Sequence, residues 1–160
     1  MNLLLTFILL ELNTSGGLIP DWFPSTMQAF IFRNWGMVDK SRLAKVLGTS
    51  AENVAREAQR MGLGEQGELS AWLEKGYITI IRANWHLLPY DQLLQLLGWS
   101  EERLAHSLKE DDFLGIKLGN AKPVCKPVLY QELTEEQKQG LYEMEEEGIN
   151  AKAYDVESLE

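Results

Sequence analysis

The sequence predicts a mainly α fold of two three-helix repeats, with a small β-hairpin or extended segment near residues 113–130. Three observations carry that expectation. The chain repeats itself at an offset of fifty residues, and each copy has apolar residues at helical spacing. Each copy also places a glycine, then a serine two positions later, where one helix must stop and the next begin.

The repeat runs without a gap from "NWGMVDKSRLAKVLGTSAENVA", Asn34 to Ala55, onto "NWHLLPYDQLLQLLGWSEERLA", Asn84 to Ala105. Asn34 and Asn84, Trp35 and Trp85, Leu43 and Leu93, Leu47 and Leu97, and Gly48 and Gly98 are identical pairs. Phe30 with Ile80, Ile31 with Ile81 and Val54 with Leu104 conserve apolar character. Such self-similarity marks a duplicated supersecondary unit. The resulting division is an apolar segment over 1–18, a first repeat over 19–69, a second over 70–119 and an acidic helix and tail over 131–160.

The first helix of each copy is expected from about Ser25 to Trp35, with Met27, Phe30 and Ile31 on one face, and from about Tyr77 to Trp85. Asp39 can cap the second helix, and in the other copy Pro89 suits a first helical position because it lacks the amide hydrogen that would go unpaired there. Leu43, Val46 and Leu47 form one apolar stripe, matched by Leu93, Leu96 and Leu97. Ser50 and Ser100 then cap the third helices, with Glu52 and Glu102 in first turns that favour negative charge. Farther on, "FLGIKLGNAKPVCKPVLY" alternates around Ile116 and Leu118 and carries two prolines, which suits a hairpin or an extended strand. Thr134 and Gln137 form a capping box for a helix with Leu141 and Met144 inward, and the acidic run Glu145 to Glu147 is a solvated face.

A short helix, a glycine turn and a capped helix make a helix-turn-helix-like unit. "LAKVLGTSAENVAREA" resembles a bacterial helix-turn-helix, with Ala44 at the close-packing position, Gly48 in the turn and Val54 on the second helix. The other copy departs from that pattern with bulky Leu94 and with Trp99 in its turn, so a wider spread of its helices is expected.

A net charge of −9 and a pI near 4.8 argue against unspecific attraction to nucleic acid or to an anionic membrane. The two copies differ in sign. Residues 33–64 hold six cationic side chains against three anionic, a net of +3, whereas residues 83–119 hold three against six, a net of −3. Only the first copy suits DNA, with Arg42, Asn53, Arg56, Gln59 and Arg60 as candidate contacts. The bland alternative is an ordinary solvated helical face. Trp22, Trp72 and Trp99 are candidates for an interaction surface instead, since large aromatics are core or interface residues before they are anything catalytic.

Catalytic residues, metal ligands and cofactors are not expected. The single cysteine, Cys125, excludes an intrachain disulfide and a thiolate cluster, and neither His86 nor His106 sits in a motif. The carboxylates of "KEDDF", Lys109 to Phe113, lack further ligands at a recognisable spacing, and no phosphate-binding glycine loop or nucleophile elbow occurs. The apolar run Leu3 to Leu10 is shorter than the roughly 20 residues a bilayer span needs. It reads as a packed terminal element, with a cytoplasmic protein expected, or as a signal remnant with no preceding Lys or Arg.

The strings "IPDWFPSTMQAFIFRNW", "YITIIRANWHLLPYDQLLQLLGWSEERLAHSLKEDDFLGIKLG" and "KPVCKPVLY" resemble the N-terminal region of large bacterial proteins with a downstream glycoside-hydrolase-like domain. That resemblance covers about Ile19 to Tyr130, and it implies an accessory module to which no catalytic residue carries over. The leading expectation is therefore a non-catalytic helix-turn-helix-like module whose partner is a protein or an adjacent domain. The alternative is a DNA-binding regulator using the first copy, and a remoter one is a carbohydrate-binding helper using exposed tryptophans.

Overall fold

Helix formation follows the predicted caps closely in the computed structural model, which describes residues 23–110, 118 and 121–139. The helices are α1 (Thr26–Asn34), α2 (Lys40–Leu47), α3 (Ala51–Arg60), α4 (Ser70–Lys75), α5 (Tyr77–Asn84), α6 (Tyr90–Leu97) and α7 (Glu101–Glu110), and a short helical stretch covers 135–139. The fold is mainly helical. Asp39 caps α2 by accepting from the Ser41 amide at 2.8 Å, and Ser50 and Ser100 accept from the amides of Asn53 and Arg103 at 3.3 and 3.2 Å. Pro89 stands one position ahead of its expected place, as the residue before α6.

The turns of the two halves are the same device. Gly48 has φ 70° and ψ 38°, and Gly98 has φ 67° and ψ 34°, a left-handed conformation that glycine adopts without a Cβ clash. The next amide in each case bonds back to the Ala44 or Leu94 carbonyl, at 3.0 and 3.1 Å. The turn backbone is thus the same in both halves, with bulky Leu94 and Trp99 accommodated beside it. Leu94 is half-buried against the core, and Trp99 leans outward onto Tyr77, ring to ring at 5.1 Å.

The halves share one core. Phe30, Ile31, Leu43 and Leu47 join Ile80, Ile81, Leu93 and Leu96 in a single buried cluster, and each such side chain contributes about 1.5–3 kcal/mol on burial. Equivalent elements meet each other, α1 against α5 and α2 against α6, which is the pattern of a self-complementary dimer interface. At its centre Asn34 donates to the Asn84 carboxamide oxygen at 2.8 Å and accepts from the Asn84 amide at 2.7 Å. Each asparagine also donates to the carbonyl four residues back, Phe30 or Ile80, at 2.8 Å. Both are fully buried and fully occupied.

Two connections tie the helices together, and only the second is expected from the sequence. The linker after α3 is anchored by Gln66, whose side chain donates to the Trp35 and Val38 carbonyls at 2.8 and 2.9 Å and accepts from the Lys40 amide at 3.0 Å. It then leads into α4, a short helix that no apolar stripe announces. Residues 121–130 run extended with no strand pairing among the described residues, which matches the extended alternative; the rest of the hairpin proposed for 113–130, apart from buried Leu118, lies outside them. This extended strap crosses both halves. Lys122 donates to the Leu88 carbonyl, Val128 pairs with the Gln92 side chain, and the Tyr130 amide donates to the Leu47 carbonyl at 3.0 Å. Thr134 and Gln137 then close the expected capping box in both directions, at 3.0 and 3.2 Å. Leu141, Met144 and the acidic run lie outside the described residues, as does the apolar segment over 1–18.

Candidate interaction surface

The five residues singled out for DNA do not form one free face. Arg42 rests its guanidinium over the turn of the other half, so close to Gly98 that a Cβ there would lie 2.6 Å from Nη1. Arg60 forms a 2.6 Å ion pair with Glu57, whose side chain is 0% exposed while that of Arg60 is 32% exposed. A carboxylate taken fully out of water needs its cation in contact, so Arg60 is held to an internal task. Gln28 bonds the other Glu57 oxygen at 3.3 Å and is itself bonded by Ser25, which extends a polar chain from α3 back to α1. Asn53 donates to the Thr49 hydroxyl at 2.8 Å. Of the five, only Arg56 and Gln59 are exposed, and they share the outer side of α3 with the exposed carboxylate Glu52.

Glu57 and Gln28 were not signalled by the sequence as a pair, because twenty-nine residues separate them. A glutamate on the Val54 and Ala58 side of an amphipathic helix was the available clue. The corresponding positions in the other half are Ser107 and Ile78, and Arg60 is matched by exposed Glu110.

The aromatic candidates behave differently. Trp72 on α4 is 37% exposed, its ring lying over the backbone of Gly76, where a Cβ would come within 2.3 Å of the indole. The next residue, Tyr77, packs on Trp99, and the Arg103 guanidinium stacks over Trp99 at 4.2 Å from the ring centre. Trp72, Tyr77, Trp99 and Arg103 thus follow one another across α4, α5 and the start of α7, a composition typical of protein contact sites. Trp22 lies outside the described residues.

A second aromatic group closes over the strap. Lys122 lies 5.7 Å from the centre of the Trp85 ring and 5.3 Å from that of Tyr90, and the two rings meet edge to face at 5.8 Å. Burial lowers the Lys122 ammonium from its ordinary range, while neighbouring Cys125, 3.6 Å away, opposes the shift. His86 is likewise held below its ordinary value, first by burial and then by the positive charges of Lys122 and Arg33. The Trp85 indole N–H has no acceptor among the described residues, whereas that of Trp35 donates to the Gly64 carbonyl at 2.7 Å.

Between α2, the linker, α4 and α6 lies an open cleft of about 510 Å³. Its cations are Arg42 and Lys45 and its anions Asp39 and Glu68. Both carboxylates already accept backbone bonds, Asp39 from Ser41 and Glu68 from Ser70 at 2.9 Å, and the latter bond holds the Glu68 carboxyl below its ordinary value. Among the described residues, no cluster of three His, Cys, Asp or Glu is arranged to hold a metal ion, and no helix is long and apolar enough to cross a membrane.

No family model, curated protein or solved structure matches this chain.

Proposed function

We propose that the chain is a non-catalytic, tandem helix-turn-helix-like module that binds another protein or an adjacent domain, accessory to a larger assembly. The observation that carries this reading is the internal use of the would-be recognition residues. Asn53 and Arg60 are held by Thr49 and Glu57, and Arg42 lies on α2 over the Gly98 turn, away from α3, which leaves α3 with one exposed cation, Arg56, and a neutral Gln59. Phosphate contacts supply much of the affinity for DNA, and one such cation on an acidic protein supplies little. The strip of Trp72, Tyr77, Trp99 and Arg103 supports contact with protein instead.

Two measurements test the proposal together. A photo-crosslinking residue at position 72 is expected to give a discrete protein adduct in native extract, and the same residue at position 56 is not. In a gel-shift titration with duplex DNA, no retention is expected at physiological salt. Tight, salt-sensitive retention abolished by Arg56→Ala would overturn the proposal in favour of a DNA-binding regulator.

A further inference from the structure

The two halves present corresponding grooves, and among the described residues only that of the second half is filled along its length. On the second half the strap enters with Lys122 on the Leu88 carbonyl and continues until Val128 meets Gln92. There the Gln92 side chain accepts from the Val128 amide and donates to the Val128 carbonyl, both at 2.7 Å, and donates to the Val46 carbonyl at 3.0 Å. One amide side chain thereby pairs with the strap as a neighbouring strand would.

The first half begins the same way. Gln66 occupies the Val38 carbonyl, the counterpart of Leu88, as Lys122 does on the other side. The linker then turns off at Gly67 into α4, and the continuation of the groove past residue 42 is the open cleft. Arg42 stands where the other half has Gln92, and Lys45 and Gln95 exchange places across the two halves.

The exchange of glutamine for arginine states what the cleft would take. Gln92 can both donate and accept, so it pairs with a continuing backbone, whereas a guanidinium has five donors and no acceptor. Its best partner is a carboxylate held by two parallel bonds. Among the described residues neither Arg42 nor Lys45 has a carboxylate within ion-pair distance, and Asp39 and Glu68 are engaged with backbone amides. We infer that this cleft binds the extended C-terminal end of a partner protein, its last residues seated past Gln66 as the strap is seated at Val128 on the other half, with the terminal carboxylate on Arg42 and Lys45. This rests on the reading of the chain as an interaction module and specifies one of its surfaces.

The test uses the full chain and a fluorescent tetrapeptide copying residues 125–128 with Cys125→Ser, prepared with a free C-terminal carboxylate and as the C-terminal amide. The free acid is expected to bind about tenfold more tightly than the amide, the equivalent of one charge-assisted interaction. Amide shifts on binding should fall on Gly67 and Leu73, which line the cleft. Arg42→Gln, which installs the residue the other half already uses, should abolish the preference for the acid while leaving the melting temperature close to that of the parent.

Equal affinity for acid and amide, no binding at millimolar peptide, or an acid preference unchanged in Arg42→Gln would each overturn the inference. So would displacement of the peptide by inorganic phosphate at equal concentration, which would mark a general anion site. A positive crosslink at position 72 alongside any of these results would leave the interaction module standing and remove only this surface.

Discussion

The two halves of this protein have matching helices and turns but complete them with different chemistry. In the first, α3 is tied to α1 by a buried chain of Ser25, Gln28, Glu57 and Arg60. In the second, those last three positions are Ile78, Ser107 and Glu110, and the strap is tied on by Gln92 instead. The difference teaches that the apolar stripe and the glycine turn specify the unit, while the polar positions left over are free to diverge into internal supports or outward contacts.

That contrast can be broken, and the largest effect is expected at the buried ion pair. Arg60→Ala strands the Glu57 carboxylate and should cost about 2–3 kcal/mol in urea unfolding, below the roughly 3–5 of a fully buried pair because Arg60 reaches solvent. The counterpart Glu110→Ala should stay within about 0.5 kcal/mol. Equal losses would show that the halves are supported alike.

Next comes the asparagine pair, where the halves are most alike. Asn34→Ala and Asn84→Ala should each cost about 1–3 kcal/mol by leaving the partner carboxamide unsatisfied. In a double-mutant cycle the second substitution should add less than the first, by about 0.5 kcal/mol or more. Strict additivity would mean that the two bonds are not coupled.

A smaller effect is expected at Gln92, whose three bonds hold the strap. Gln92→Ala should cost about 1–2 kcal/mol and speed hydrogen exchange at the Val128 and Tyr130 amides, whereas Arg42→Ala should leave both amides protected. The smallest effect concerns pH. Because His86 titrates below its ordinary value of 6.5 in the fold, the unfolded chain binds that proton more readily. Its contribution to stability is complete above that value and is lost as pH falls through the folded midpoint. An NMR titration should find the midpoint depressed, and Lys122→Gln should move it back up, because one of the positive charges that lower it is gone.

Much of the fold was legible in the sequence. The fifty-residue offset, the stripes of Leu43 and Leu93 and the capping serines are local patterns, and local patterns specify helices and their ends. The candidate surface was legible only in part. Arg60 reads as a surface cation because nothing near it in sequence says that Glu57 is buried; that depends on α1 arriving from residue 28. Gln92 reads as a polar position on an amphipathic helix, and its role as a mock strand depends on Val128, thirty-six residues away. Short α4 has no apolar stripe to announce it, and it buries no side chain completely.

The buried pair of Asn34 and Asn84 has a consequence for assembly. Each asparagine offers its opposite the same donor and acceptor, so two separate copies of either half could make the same contact, and their pairing would depend on protein concentration. Joining the halves through a linker pinned by Gln66 makes the encounter intramolecular, so that the paired state persists on dilution. The like-with-like contact thus lies within one chain and cannot be diluted apart, and each half is left free to differ on its outer face without having to remain compatible with an identical twin.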